Sequence, residues 1–344
     1  MDTTALLTSL SRLSCITGKG GAARVAFEEI KRYSPNAYFD KLGSIIAPIT
    51  PPKADGKHLM LDAHLDEIGF IVTGIDDHGF LRIAKVGGPD LRVLLGQEVT
   101  VFGIEPLFGI FCCRPPHLTK KEDYKKPPEI DELAIDIGLD HDSAADIISL
   151  GDYVTLRREP ATLQNGLMTG KAFDNRAGIA AIIRTLELLG DNPPDVGLTV
   201  LLSISEECGE RGARPGTFAV SPTHAIVIDV SHALTPDAPR EKCGELKKGP
   251  MIGVSPVLSK AVTQRLFESA AHEGIPYQTE VMGGETGTNS DVISISGLGV
   301  KTGLISIPLR YMHTAAEVIA LEDIENTARL LTRYIMTAVK NEAL

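Results

Sequence analysis

The sequence predicts an α/β fold, a mixed sheet covered by helices on both faces, with a small β-barrel inserted into it. Three observations carry this reading. Strand-like and helix-like segments alternate before residue 66 and again from Gly170 onward, the pattern of a sheet packed between helices. Between residues 67 and 162 the texture changes to short apolar runs broken by Gly, Pro and Asp clusters, which suggests a small barrel or sandwich. Several apolar runs outside that stretch end in His, Asp or Glu, and ligands of open α/β sheets gather at the carboxyl ends of strands. At 344 residues the chain is long enough for two such units. The expected division is a discontinuous α/β domain, residues 1–66 and 163–344, and an inserted β-rich domain, residues 67–162.

Taken in order, residues 4–16 and 22–33 carry apolar positions at helical spacing, Val25, Phe27 and Ile30 among them. Residues 37–46 read as one extended segment, and 57–64 as a strand with a polar end. Short strands follow at 68–72, 80–86, 98–102, 107–113 and 153–156. Residues 117–130, charged and proline-bearing, read as a mobile loop. Beyond Gly170 the expected order is helix 176–189, strands 198–205 and 224–229, helix 259–273, strand 300–307 and helix 321–339. Residues 283–287 are loop by composition.

The net charge of −11 argues against nucleic acid or an anionic membrane as partner, since both require a basic footprint. No apolar run reaches the length of a membrane span, and the first residues lack the basic and apolar regions of a secretion signal. Five cysteines, an odd number without a C-x-x-C pair, fit a reduced, cytoplasmic setting. Tryptophan, the commonest sugar-stacking platform, is absent.

The most informative stretch is Ser205-Glu-Glu-Cys-Gly209, directly after an apolar strand reading. Adjacent carboxylates there are costly unless a metal ion, a proton or a basic partner compensates them. No Lys or Arg lies within three residues of Glu206. Other strand readings end in metal-competent residues as well: His64 with Asp66, Asp229, and His313 a few residues past its strand. Asp174 stands where a loop enters a helix. Each alone has an ordinary explanation, such as a hydrogen-bonded structural histidine, a helix cap or a solvent-facing turn. Together they would converge on one sheet edge. Nitrogen and oxygen ligands without thiolate suit Zn²⁺, Co²⁺ or Mn²⁺. Of the remaining histidines, His232 is a rival ligand ranked below His313; His58 begins a strand, and the others sit in loops or on helix surfaces.

With these residues in hand, the chain resembles the M42 family of metallo-aminopeptidases, whose members carry the names glutamyl aminopeptidase or endoglucanase M. The carriers are Asp62-Ala-His-Leu-Asp-Glu-Ile-Gly-Phe70, Gly170-Lys-Ala-Phe-Asp-Asn-Arg-Ala-Gly178 and Ser205-Glu-Glu-Cys-Gly-Glu-Arg-Gly-Ala213. Ile228-Asp-Val-Ser-His-Ala233, Lys248-Gly-Pro-Met251 and Ile305-Ser-Ile-Pro-Leu-Arg-Tyr-Met-His-Thr314 complete the set, in the family's order. The resemblance implies two divalent metal ions per subunit. Asp174 would bridge them, His64 and Asp229 would complete one site, and Glu207 and His313 the other. Glu206 would be the general base toward water, and Asp66 would orient the imidazole of His64. The resemblance further implies peptide substrates, N-terminal cleavage, and a homo-oligomer in which the inserted domain mediates assembly, up to a tetrahedral dodecamer built from dimers. One departure stands out: in Gly287-Thr-Asn-Ser-Asp291, Asn289 replaces a family Asp. Thr288 and Asn289 are therefore candidates for substrate contact.

Three rival readings remain at this stage. A glycosidase needs carboxylates set about 5–9.5 Å apart across the sugar, and would leave the histidines unexplained. An M20-like deacylase or carboxypeptidase would share the ligands but place its extra domain after the glutamate pair. A non-enzymatic module would have lost ligands, whereas all five and the base are present.

Overall fold

The computed structural model describes residues 2–16, 20–52, 56–118, 126–192, 194–236 and 238–337. Four strands of the main sheet explain where the polar residues go. His58–His64 pairs in parallel with Gly197–Ser203 on one side and with His224–His232 on the other. His224–His232 in turn pairs in parallel with Lys301–Arg310. All four therefore end on the same edge.

These strands are buried on both faces, which is why they read as nearly unbroken apolar runs. Alternate side chains serve opposite layers. Leu59, Leu61 and Ala63 join Leu7, Ile179 and Leu330 in the larger core, while Met60 packs with Ala213 and Ile293 on the reverse face. Helices Thr3–Arg12, Gly21–Lys31, Phe173–Leu189, Lys260–Glu273 and Leu321–Thr337 cover the first face. The shorter Ala213–Val220 and Ser290–Ser294 cover the second. Among the described residues the full sheet has 11 strands. Tyr38–Phe39 and Ile45–Thr50 extend it beyond Gly197–Ser203. Glu317–Ala320, Leu167–Gly170 and Ala161–Thr162 extend it beyond Lys301–Arg310, from which Met251–Val254 and Gln278–Val281 branch.

A second sheet closes on itself. Gly69–Ile75, Leu81–Val86, Leu133–Asp136, Pro106–Cys113, Glu98–Phe102 and Tyr153–Leu156 form a barrel in that spatial order. Its interior holds Val72, Leu81, Val99, Val101 and Val154, with Phe70 and Phe111 packed edge to face at 4.9 Å. The strands fall between His64 and Asp174 in the chain, so the barrel is inserted between two site residues and precedes the glutamate pair.

Several elements differ from the sequence reading. Residues 37–46 are two strand pieces rather than one, because the Asp40 carboxylate accepts the amides of Leu42, Gly43 and Ser44 and turns the chain. The strand expected at 198–205 stops at Ser203, and Ser205 takes a left-handed φ of 57° that swings the next residues across the sheet edge. Strands 224–229 and 300–307 run on to His232 and Arg310. Leu133–Asp136 and the helix His141–Ile147 were not foreseen. Of the loop expected at 117–130, residues 119–125 lie outside the described residues, as do 338 and 339 of the last helix.

Candidate metal centre

Each polar side chain arrives at the shared edge by a different route. His64 is the last residue of its strand, and Asp229 lies within the neighbouring strand. Glu206 and Glu207 follow the left-handed turn at Ser205. His313 sits beyond Arg310 in a turn where both Tyr311 (φ 60°) and His313 (φ 63°) are left-handed. Asp174 opens the helix Phe173–Leu189 but keeps non-helical angles, so its carboxylate points at the histidines. The Asp174–Asn175 peptide is cis. Asn175 ties this corner to the sheet, its Nδ2 donating to Ile228 O at 2.7 Å.

The carboxylate of Asp174 divides the site. Its Oδ1 lies 3.0 Å from His64 Nε2, and its Oδ2 lies 3.4 Å from His313 Nε2. Asp229 Oδ1 stands 3.8 Å from His64 Nε2, on the first side. Glu207 Oε2 stands 3.4 Å from His313 Nε2, on the second. Glu206 Oε2 is farther out, 4.0 Å from His64 Nε2.

Surrounding groups hold these side chains in place. The two oxygens of Asp66 accept the amides of Glu206 and Glu207, each at 3.1 Å, so one carboxylate fixes the glutamate turn. The same side chain lies 3.6 Å from His64 Nδ1, and the Asp66 carbonyl lies 3.2 Å from it. Glu317, a residue the sequence reading did not single out, accepts the amides of Phe173, Asp174 and His313. It thereby links the loop of Asp174 to His313. Glu67 pairs with Lys171 at 2.6 Å and with Arg176 at 3.1 Å in a fully buried cluster. Arg176 also donates to the carbonyls of Leu10, Leu13 and Leu65, locking the first helix against the helix that carries Asp174.

The electrostatics call for added positive charge. Among the described residues, Asp174, Glu206, Glu207 and Asp229 pair with histidines and with no Lys or Arg. Burial, with the charge of Asp174 behind it, pushes Glu207 up to about 10. Burial lifts Glu206 to about 7 and raises Asp229 as well. For Asp174, burial opposes ionisation, but hydrogen bonds from His313 and His64 outweigh it and hold the carboxyl below its usual range. So many carboxylates cannot ionise together in this space without a cation. The donor atoms suit one. His64, Asp174 and Glu207 bring ligand atoms within 4.8 Å of one another. Nitrogen and oxygen ligands about 2.0–2.2 Å from one ion lie roughly 3–4 Å apart, the spacing seen on both sides of Asp174.

The other expected residues are placed as follows. His232 ends its strand exposed, in the cleft beside Tyr311 and Met312. Asn289 turns inward: it is 1% exposed, and its Nδ2 donates to Asp62 Oδ2 and Ser203 Oγ, both at 2.8 Å. Thr288 is buried beside it and shares hydrogen bonds with Thr286 and Ser290. Burial raises Asp62 to about 6, and hydrogen bonds from Ser203 and Asn289 work against that rise.

Imidazoles and carboxylates gathered at one sheet edge, with a further carboxylate free to take a proton, suit a metal-dependent hydrolase, and that is the class the fold and site define. The sequence profile of the M42 glutamyl aminopeptidase family matches residues 43–330. A lysyl aminopeptidase of Pyrococcus furiosus is 30% identical over 314 residues, covering 90% of this chain and 89% of the relative. An aminopeptidase from the archaeon Desulfurococcus kamchatkensis superposes with a TM-score of 0.91 at 31% identity, covering 98% of this chain and 95% of that one. The TET1 peptidase of Pyrococcus horikoshii, described as able to assemble into a tetrahedron or a large octahedral shell, gives a TM-score of 0.83 at 28% identity, over 98% and 100% of the two chains. The chain belongs to the M42 peptidase family and is a metal-dependent aminopeptidase.

Proposed function

We propose that the chain removes N-terminal residues from peptides with two divalent ions per subunit, Zn²⁺, Co²⁺ or Mn²⁺, bound on the two sides of Asp174. The observation that carries this is the division of one carboxylate between two histidines, Oδ1 toward His64 and Oδ2 toward His313. His64 and Asp229 would hold the inner ion, and Glu207 and His313 the outer one. Such ions, when bound, acidify water and polarise a peptide carbonyl.

The chain's own residues supply the rest. Glu206, beside the ligands without replacing one of them, takes the proton of the attacking water and hands it to the departing amine. In the metal-free site burial raises its pKa to about 7. Asp66 fixes the direction of that carboxylate through the Glu206 amide. The peptide would lie in the cleft of about 580 Å³ beside His313, lined by Leu309, Tyr311, Met312 and Asp90 among others. Asn289, its side chain turned inward, would support the floor of the site through Asp62 and Ser203, with Thr288 bonded to Ser290 beside it.

Residues 67–162 are proposed as the assembly domain of a homo-oligomer. The likeness to the TET1 peptidase supports this, as do the exposed apolar side chains Ile104, Phe108, Ile110 and Leu150 on the barrel and its connections. Five unpaired cysteines support a cytoplasmic setting. Among the described residues, no helix is long and apolar enough to cross a membrane.

The deciding experiment offers a panel of aminoacyl-nitroanilides and their acetylated counterparts, with added Co²⁺, Zn²⁺ or Mn²⁺ and with chelator. Release from free but not acetylated N-termini, abolished by chelator, is the expected result. Cleavage of neither series, or activity that survives complete metal removal, contradicts the proposal.

A further inference from the structure

We propose that the inserted barrel is a working part of the metal centre: the backbone at Gly87 and Gly88 positions the outer ligands, His313 and Glu207. This rests on the two-ion reading above.

The loop that follows barrel strand Leu81–Val86 runs directly against the distal histidine. The carbonyl of Gly88 lies 3.0 Å from His313 Nδ1. A carbonyl can only accept, so Nδ1 carries the proton and Nε2 keeps its lone pair. That nitrogen is the one 3.4 Å from both Asp174 Oδ2 and Glu207 Oε2. A carboxylate in the same place would set the same tautomer but add another negative charge to a site already crowded with them. A second tie runs the other way, from the Asp90 amide to the His313 carbonyl at 3.1 Å.

The absence of side chains matters as much as the carbonyl. A Cβ on Gly88 would stand 3.1 Å from His313 Nδ1 and 3.4 Å from its Cε1. A Cβ on Gly87 would stand 3.0 Å from Glu207 Oε2 and 2.9 Å from Ile68 Cγ2, and the φ of +74° there already favours glycine. Each glycine thus makes room for a different outer ligand. Pro89 disfavours the helical region at Gly88, which narrows the directions its carbonyl can take. Asp90 closes the loop, its Oδ1 accepting the amide of Arg92 and its carboxylate holding the Arg92 guanidinium. Among the described residues no comparable barrel contact reaches His64, whose Nδ1 is held by Asp66 from its own strand end. The Gly87–Gly88 pair is therefore a positioning element for one half of the site.

The test is a titration of metal-depleted protein with Co²⁺, read by visible absorbance and by metal count per chain, with circular dichroism to confirm folding. It compares wild type, Gly88→Ala, Asp90→Ala, and Gly74→Ala as a barrel control where an added Cβ meets nothing nearer than 3.6 Å. Wild type is expected to bind two ions. Gly88→Ala should keep the inner ion at wild-type affinity and bind the outer ion about 10–100-fold more weakly. Asp90→Ala should weaken the same ion by a smaller factor, and Gly74→Ala should change neither. Unchanged binding of both ions by Gly88→Ala, or equal weakening of both, overturns the inference. If Gly88→Ala fails to fold, Asp90→Ala decides, and an unaltered outer ion there overturns it. Wild type that takes up fewer than two ions overturns the two-ion reading itself, and this inference with it.

Discussion

The two halves of the site are built differently. His64 and Asp229 belong to the central strands, and their side chains are 1% and 6% exposed. Strand register places them, and the sheet would have to slip to move them. His313 is 31% exposed and stands in a left-handed turn. It is held by the Gly88 carbonyl from the barrel and by Glu317, whose carboxylate accepts its amide. The inner half is fixed by buried strands paired on both sides. The outer half is assembled from loops of two regions, and the residues on either side of His313 line the neighbouring cleft. The contrast teaches that one site can combine a half placed by strand register with a half placed by loops, with Asp174 standing between them.

That contrast can be broken most completely at the joint. Asp174→Ala should lose both ions and all turnover, with metal content as the check; a variant that keeps two ions would show that Asp174 bridges nothing. Next in size is His313→Ala. It should release the outer ion alone, leaving one ion per chain in a metal assay after dialysis, whereas loss of both would show that the halves are not separable. Asp66→Asn is expected to lower activity about 10–100-fold with both ions still present, because an amide nitrogen would face one of the two backbone N–H groups that the carboxylate now accepts. Wild-type activity would remove Asp66 from the account.

Metal affinity should also depend on pH. In the metal-free site burial pushes Glu207 up to about 10 and raises Asp229, so both hold protons that a cation must displace. Binding therefore strengthens as pH rises and weakens on acidification, by about tenfold per pH unit for each proton displaced. Titrations at several pH values check the slope. An affinity that is flat or that rises toward acid would mean that the ligands are already ionised.

Much of this was legible in the sequence because the inner half obeys local rules. An apolar run ending in Asp62-Ala-His64, and another through Ala225-Ile-Val-Ile-Asp229, mark strands with a metal-competent residue near the carboxyl end. His313 was legible as a type of residue but less so as a position, since two left-handed residues carry the chain there from Arg310. Glu317 was invisible because its partners are three backbone amides, two of them more than 140 residues away. Glu67, Lys171 and Arg176 lay within the recognised motifs, yet their mutual pairing joins segments over 100 residues apart. The contribution of Gly88 is a carbonyl, which no side-chain reading can detect. Asn289 drew attention as a departure, but burial turned it toward Asp62. Within the barrel, Leu133–Asp136 is only four residues, too short to announce itself as a strand.

The central claim is that the adjacent carboxylates Glu206 and Glu207 have different tasks, one moving a proton and the other holding an ion. Paired measurement of metal content and turnover in Glu206→Gln and Glu207→Gln tests it most directly. The account predicts that Glu206→Gln keeps two ions and loses about 10²–10⁴-fold in turnover, while Glu207→Gln is left with one ion. Glu206→Gln that retains most of its activity, or that sheds an ion as Glu207→Gln does, would contradict it.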